Sequence, residues 1–137
     1  MKKGIYISIK PEFTKKIENG EKNYEYRKYI PKKEFDTLYV YETFPKCSLK
    51  YVLIIDKIIE YPNKILEDGY GNDDFNNGLK KSKYAYQISS VEKLVDPIPL
   101  KKLKSDFEFT APQSYAYDDK YLKLTKYIKY AEKIRIY

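Results

Sequence analysis

The sequence has no histidine, no tryptophan and a single cysteine, Cys47, among its 137 residues. Without histidine, the chain cannot form a Ser-His or Cys-His catalytic pair, an imidazole zinc site or a histidine general base. One cysteine excludes an intramolecular disulfide and a zinc site built from clustered cysteines. Any chemistry must therefore use lysine, glutamate, aspartate, tyrosine, serine or threonine, and we expect neither a metal nor a cofactor.

Long hydrophobic runs are also absent. The most apolar stretch, Val52 to Ile55, has the length of a strand and falls well short of a membrane-spanning helix. The apolar residues that follow Lys2 and Lys3 form too short a run for a secretory signal. We therefore expect a cytoplasmic protein with no membrane partner, and the length of the chain predicts one domain over residues 1–137.

Basic residues and tyrosines are abundant. Lysine and arginine together number 27 against 20 aspartates and glutamates, which gives a net charge of +7 and favours an anionic partner. The 17 tyrosines are too many to bury without partners for their hydroxyl groups, so some are expected at the surface. Because the codon bias of an AT-rich genome produces the same excess of tyrosine, only the placement of these residues bears on function.

The hydrophobic pattern predicts strands and few helices. Ile5, Ile7 and Ile9 alternate with polar residues as in a half-buried strand, and Pro11 then suits the first turn of a helix over 12–19 that ends at Asn19-Gly20. Further segments read as strands, namely 22–29, 37–43, 50–60 and 83–89. We expect an insertion with at most one short helix over 63–83. An extended segment that contains several prolines should follow residue 89, and a helix should span about 119–133.

This order of elements predicts an α+β fold. Strands dominate, their connections are short, and the middle of the chain offers no long helices for a parallel doubly wound sheet. We expect a mixed or antiparallel sheet that curls into a small barrel, with a short helix after the first strand and a helix at the C-terminal end.

Two segments resemble the ASCH domain, a family of the PUA-like superfamily. The first is Ser8-Ile9-Lys10-Pro11, and the second, from Gly20 to Arg27, matches the family's G-x-K-x-x-E-x-R pattern at all four defined positions. Weaker similarity continues through Tyr84–Ile88, Pro97–Leu100 and Ala111–Tyr115, so the resemblance spans roughly residues 4–115. It implies a PUA-like β-barrel with a cleft between the first helix and the sheet, and a role in binding RNA or modified nucleotides.

The resemblance also raises the question of catalysis. Some small relatives hydrolyse an acylated modified nucleoside with the motif lysine, a threonine three positions further on and a glutamate elsewhere. Lys22 matches that lysine, but Glu25 stands where the threonine would be. The resemblance therefore favours binding, and the alternative is a hydrolase or ribonuclease that acts on RNA or a modified nucleoside with Lys22 and Glu25 as its catalytic groups.

We predict a binding site centred on Lys10, Lys22, Glu25 and Arg27, with Ser8 and Tyr24 as outer candidates. Glu25 and Arg27 are two apart on a strand, so they share a face on which the carboxylate orients the guanidinium toward a phosphate or a base edge. An ordinary surface ion pair has the same spacing.

Lys10 ends the first predicted strand and Lys22 begins the second, so pairing of the two strands would bring both amines to one cleft. Lys10 is equally suited to protect a strand edge, and Ser8, on the same face, either donates to a ligand or is satisfied within the barrel.

Three further features leave alternatives open. The tyrosines at positions 24, 26, 39 and 41 either stack on unpaired bases or pack in the core. Asp73 and Asp74 either help to hold a hard cation or lie in a solvated loop. The apolar stripe of the C-terminal helix docks either a partner protein or the chain's own barrel, and the oligomeric state stays open.

Overall fold

The chain forms a curled mixed sheet with four short helices in a computed structural model that describes residues 2–137. The strands are β1 (Lys3–Ile9), β2 (Tyr24–Arg27), β3 (Phe35–Glu42), β4 (Ser48–Glu60), β5 (Tyr84–Pro99), β6 (Ala116–Tyr117) and β7 (Lys133–Arg135). The helices are α1 (Pro11–Glu18), α2 (Asn72–Asn76), α3 (Leu100–Phe107) and α4 (Leu122–Tyr130), the last preceded by a 3₁₀ turn at Asp118–Tyr121.

The strand order in the sheet is β2-β5-β4-β3-β1-β6, and β7 also pairs with β5. Strands β1 and β3 run parallel, whereas the other pairs are antiparallel. The sheet curls into a half-barrel, and the predicted α+β class with a small mixed barrel is confirmed.

Helix α1 begins and ends within one residue of the predicted span 12–19. Pro11 occupies its first turn, and Gly20 follows its end with a φ of +84°, a left-handed conformation that glycine adopts without the strain a side chain would impose. Thr14 and Ile17 are the buried residues of this helix, so α1 packs one face onto the sheet.

Both faces of the half-barrel are covered, which corrects the expectation that β1 is half-buried. Inside the curl, Ile5, Ile7 and Ile9 pack with residues of β3, β4, β5 and α1 in one core. On the outer face Tyr6 is fully buried in a second core that α3 and α4 cover. Because β1 lies between these two layers, Tyr6 is as fully buried as Ile5 and Ile7, whereas Ser8 is half-buried.

Three elements differ from the sequence prediction. Strand β5 continues to Pro99, ten residues beyond its expected end at Ser89, and its last part pairs Leu49 with Ile98. Helix α3 starts directly after Pro99 and was missed, although its apolar positions at 100, 103 and 107 follow helical spacing. The short strands β6 and β7 were also missed, because two or three residues carry no usable periodicity.

The insertion at 63–83 contains one short helix, α2, as expected. Its Phe75 packs with Tyr24, Ile65 and Ala85 in a third, smaller core against β2. None of the helices within residues 2–137 has the length and apolar character that a membrane crossing requires.

Candidate functional site

Three residues of the G-x-K-x-x-E-x-R segment form one buried ionic cluster. Glu25 Oε2 accepts a hydrogen bond from Arg27 Nε at 2.9 Å and lies 2.8 Å from Arg27 Nη2, and Lys22 Nζ lies 3.5 Å from Glu25 Oε1. Only 3% of Lys22 and 7% of Glu25 is exposed. A buried charge is costly unless an opposite charge lies beside it, so removal of any one of these three residues would leave another without one of its partners.

Arg27 connects this cluster to β1, four places away from β2 in the sheet. Its Nη2 donates to the backbone carbonyl of Ser8 in β1 at 2.9 Å, and its Nη1 donates to the hydroxyl of Tyr29 at 3.4 Å. Tyr29 in turn donates to the carbonyl of Ser114 at 2.6 Å. The guanidinium is therefore oriented by Glu25, as the two-residue spacing predicts, and each of its three nitrogens donates one hydrogen bond within the protein.

The two cations of the cluster respond differently to burial. Burial lowers the pKa of Lys22 below its ordinary value; Glu25 opposes this effect, and the nearby Lys80 adds to it. Burial also disfavours the charge of Arg27, but Glu25 and Tyr29 together outweigh it, so the pKa of Arg27 is raised. Lys22 is thus the group in the cluster that loses its proton more readily than it would in water.

A basic and aromatic surface adjoins the buried Lys22, and we call it the Lys22 patch. It consists of Phe13, Lys16, Lys22, Tyr26, Tyr70 and Lys80. The amines of Lys22 and Lys80 lie 4.2 and 4.4 Å from the centroid of the Tyr26 ring, and that of Lys16 lies 4.8 Å from the Tyr70 centroid. Tyr70 is 44% exposed, which leaves part of its ring open to solvent.

The loop that carries Tyr70 is fixed to the motif segment by hydrogen bonds. The backbone N–H of Tyr70 donates to the carbonyl of Glu21 at 2.8 Å, and Tyr26 donates its hydroxyl to the carbonyl of Tyr70 at 3.0 Å. The Tyr26 hydroxyl also contacts the side-chain oxygen of Asn72 at the start of α2, and the Asn72 side chain donates to Asn23 at 3.1 Å. The insertion therefore builds one wall of the patch.

Sequence reasoning missed Lys16, Tyr70 and Lys80. Tyr70 and Lys80 belong to the 63–83 insertion, where neither periodicity nor a motif predicts which part of the molecule the loop contacts. The position of Lys16 on α1 was predictable, but its neighbour Tyr70 was not.

Comparison with solved structures identifies the fold. The crystal structure of ASCH from Zymomonas mobilis is similar to this chain with a TM-score of 0.69 and 24% identity, covering 94% of this chain and 96% of that one. Two mutant forms of the Zymomonas mobilis protein match with the same TM-score and 23% identity, each over 96% of this chain and over 98% and 100% of their own chains. No family model and no curated protein matches the sequence. The chain has an ASCH-like fold. The resemblance predicted from the sequence is thereby confirmed for the fold.

The ASCH-like fold corrects one step of the sequence argument. Strands β1 and β2 do not pair, because β2 lies at one end of the sheet beside β5 whereas β1 lies between β3 and β6. The curl of the sheet, and not backbone pairing, brings Ser8 and Arg27 together. A parallel partner for β1 was available in β3, and sequence patterns alone do not choose between such pairings.

Lys10 and Ser8 occupy different environments in the ASCH-like fold. Lys10 is exposed, and its backbone carbonyl accepts hydrogen bonds from the N–H groups of Phe13 and Thr14 at the start of α1. The Ser8 hydroxyl donates to the carbonyl of Pro112 at 2.8 Å, so it is satisfied within the protein. The structure thus joins Ser8 to the ionic cluster through its carbonyl, while the Lys10 amine projects from the surface.

The four candidate stacking tyrosines are largely core residues. Tyr24 is fully buried in the third core, and its hydroxyl donates to Glu67 at 2.9 Å, which leaves no face of its ring open to a base. Tyr41 packs in the second core, and the half-buried Tyr39 stacks on Tyr6 with ring centroids 4.8 Å apart. Tyr26 is half-buried beneath the amines of the Lys22 patch.

Asp73 and Asp74 lie in the first turn of α2. Within residues 2–137, no group of three or more cysteine, aspartate or glutamate side chains is arranged to hold a metal ion.

Proposed function

We propose that this protein binds RNA or a nucleotide at the Lys22 patch. The observation that supports this proposal is the convergence of Lys16, Lys22 and Lys80 around the rings of Tyr26 and Tyr70, beside the motif that resembles the ASCH family. Cations that flank an aromatic surface suit a ligand with a phosphate and a base. An RNA or nucleotide partner also agrees with the net charge of +7, and the cytoplasmic location stays a prediction.

In the Lys22 patch, the exposed and half-buried residues contact the ligand, and the buried residues hold them in position. The half-open ring of Tyr70 offers a stacking surface for an unpaired base. The half-buried Lys80 and Lys16 offer ammonium groups to its phosphates, and the Lys16 amine also lies 3.6 Å from the exposed carboxylate of Glu21. Lys22 sits beneath them, held by the carbonyl of Tyr24 at 2.7 Å and by Glu25. The ionic cluster therefore serves as a rigid floor that positions the contact groups.

The experiment measures fluorescence anisotropy of a labelled single-stranded RNA and of a labelled nucleotide over a salt series. Phosphate contacts predict that affinity falls as salt rises, and Lys16→Ala and Lys80→Ala should each weaken binding and reduce the salt slope by about 0.7 for single strands. Tyr70→Ala should weaken binding without changing that slope. The exposed Lys32, outside the patch, supplies the matched control Lys32→Ala.

Two results would contradict the proposal. One is a complete lack of binding to RNA, DNA and nucleotides at low salt. The other is binding that Lys16→Ala, Lys80→Ala and Tyr70→Ala leave unchanged, because affinity would then come from another surface.

A second function, hydrolysis of RNA or of a modified nucleoside, is favoured by the electrostatics of Lys22. Its lowered pKa increases the fraction of neutral amine, the form that acts as a base or nucleophile, and Glu25 lies 3.5 Å away as an acid or base partner. Turnover of acylated cytidine or of RNA should then be lost in Lys22→Ala and retained in Lys32→Ala. Binding without turnover in the wild-type protein would refute this second function.

A further inference from the structure

The outer face of α4 combines exposed tyrosines with lysines. Leu124 and Ile128 of this helix are buried in the second core, so its apolar stripe packs against the chain's own barrel. The remaining face leaves Tyr127 43% and Tyr130 73% exposed. The apolar stripe is thus already occupied, and the exposed side of α4 has a different chemistry.

Two open grooves flank α4 and meet on it. One, with a volume of about 800 Å³, lies between α3 and α4 and is lined by residues that include Lys102, Lys123 and Tyr127. The other, of about 730 Å³, lies on the opposite side of α4 beside β1 and is lined in part by Lys129. Lys126 and Tyr130 line both grooves, and we call the two adjoining grooves together the α4 groove.

The α4 groove carries more lysines than carboxylates. Its lining holds six lysines, at positions 3, 102, 123, 126, 129 and 133, against Glu92, Asp106, Asp118 and Asp119. Two of these carboxylates, Asp118 and Asp119, pair with Lys3. In the part of the chain that the structure describes, no carboxylate lies within 4.0 Å of the amines of Lys102, Lys123, Lys126 or Lys129. These charges are therefore available to an anion.

The amines are interleaved with aromatic rings along the groove. Lys102 Nζ lies 4.9 Å from the Tyr127 centroid, Lys123 Nζ lies 5.9 Å from the Phe107 centroid, and Lys129 Nζ lies 5.5 Å from the Tyr130 centroid. Lys102 also donates to the Tyr127 hydroxyl at 3.2 Å. Alternating cations and ring faces match the alternating phosphates and bases of an unpaired strand.

We propose that the α4 groove binds single-stranded nucleic acid, at a surface separate from the Lys22 patch. The lysines contact the phosphates, and the exposed rings of Tyr130 and Tyr127 stack on bases. A duplex fits this chemistry less well, because its bases are already stacked and paired. The two surfaces share no residue, and this inference goes beyond the proposed function by adding a second binding surface.

The experiment compares three labelled polyanions on the full chain: a decauridine strand, an RNA duplex of ten base pairs, and inorganic polyphosphate. The strand should bind more tightly than the duplex. Tyr130→Ala should weaken binding of the strand at least about fivefold, the loss of one stacked base, and leave polyphosphate binding unchanged. Because Tyr130 is mostly exposed, this variant should keep the wild-type circular dichroism spectrum.

Charge variants test the other half of the proposal. The double variant Lys123→Ala/Lys126→Ala should reduce the salt slope for decauridine by about 1.4, while the control pair Lys32→Ala/Lys64→Ala, exposed lysines elsewhere, should leave it unchanged. Equal weakening by both pairs would mean that net charge alone drives binding and would overturn the proposal. Loss of strand binding only in Lys16→Ala/Lys80→Ala would also overturn it and would support the Lys22 patch instead.

The remaining outcome would support the α4 groove and contradict the Lys22 patch. If Lys123→Ala/Lys126→Ala and Tyr130→Ala weaken decauridine binding whereas Lys16→Ala/Lys80→Ala has no effect on any ligand, the α4 groove stands and the proposed function of the Lys22 patch fails. Binding of a protein or of a second copy of the chain in place of decauridine, detected by light scattering, would overturn the choice of nucleic acid as occupant.

Discussion

Arg27 Nη2 donates a hydrogen bond to the carbonyl oxygen of Ser8 at 2.9 Å, and this bond links two strands that have no backbone pairing with each other. The same nitrogen lies 2.8 Å from Glu25, so a single guanidinium neutralises a buried carboxylate and ties the β2 end of the sheet to β1. The sheet curls only halfway to a closed barrel, so no backbone hydrogen bonds join β2 to β1. The side-chain bridge replaces part of that missing backbone pairing. A motif arginine that would suit a ligand phosphate is here a structural tie.

The Arg27 bridge predicts a large loss of stability on truncation. Arg27→Ala leaves the buried Glu25 with Lys22 as its remaining cation and leaves the Ser8 carbonyl without this donor, so we expect a loss of about 3–5 kcal/mol in the free energy of unfolding. Urea denaturation followed by circular dichroism measures it. Arg135→Ala, which removes an exposed arginine, should change stability by at most about 0.5 kcal/mol. An Arg27→Ala protein as stable as this control would show that the bridge contributes nothing.

Lys22 predicts a pH dependence of stability. Because burial lowers its pKa in the folded state below the ordinary 10.5, the unfolded chain binds more protons between the two values, and stability rises with pH across that window. Lys22→Met removes the titrating group, so the free energy of unfolding of the wild type relative to this variant should rise as pH approaches 10.5. Urea titrations from neutral to alkaline pH test this, and the contribution of the buried tyrosines cancels in the difference. Parallel pH profiles for the two proteins would contradict it.

Gly4 predicts a steric effect on the outer core. A Cβ atom at this position would lie 2.5 Å from Cε2 of Tyr39, and the Tyr39 ring stacks on the buried Tyr6. Since the ring has a packed neighbour, we expect Gly4→Ala to cost about 1–3 kcal/mol of stability in thermal or urea denaturation. The same substitution in a Tyr39→Ala background should cost much less. An equal cost in both backgrounds would place the effect in the backbone and not in the contact with Tyr39.

Local signals in the sequence were sufficient to predict the first elements of the chain. Alternation identified β1, Pro11 and Gly20 bounded α1, and the spacing of Glu25 and Arg27 predicted that they share a face. Each of these depends on neighbours within a few residues. For that reason these features can be predicted from short segments without knowledge of the tertiary fold.

Contacts between residues far apart in the chain could not be predicted from the same local signals. The parallel pairing of β1 with β3, the reach of Arg27 to Ser8 and the contact of Tyr70 with Lys16 all join residues far apart in the chain. They depend on how the sheet curls and on where the insertion folds back. The burial of Tyr24 was unpredictable for the same reason, because Phe75 of that insertion covers it.

Tyr51 predicts a shift in the titration of Glu18. Its hydroxyl donates to Glu18 Oε1 at 2.6 Å, and this hydrogen bond, assisted by Lys93 at 3.1 Å, lowers the pKa of Glu18 below its ordinary 4.5. A lowered carboxyl pKa in the folded state stabilises the protein above pH 4.5, and this stabilisation is lost as pH falls through the folded value.

Tyr51→Phe should therefore raise the pKa of Glu18 toward 4.5, measured from the side-chain carboxyl carbon by NMR titration, and make stability less dependent on pH below that value. Lys93→Met should also raise it, because the Lys93 amine lowers the pKa of Glu18 through its contact and its charge. A Glu18 pKa that stays unchanged in Tyr51→Phe but rises in Lys93→Met would assign the shift to the ion pair alone.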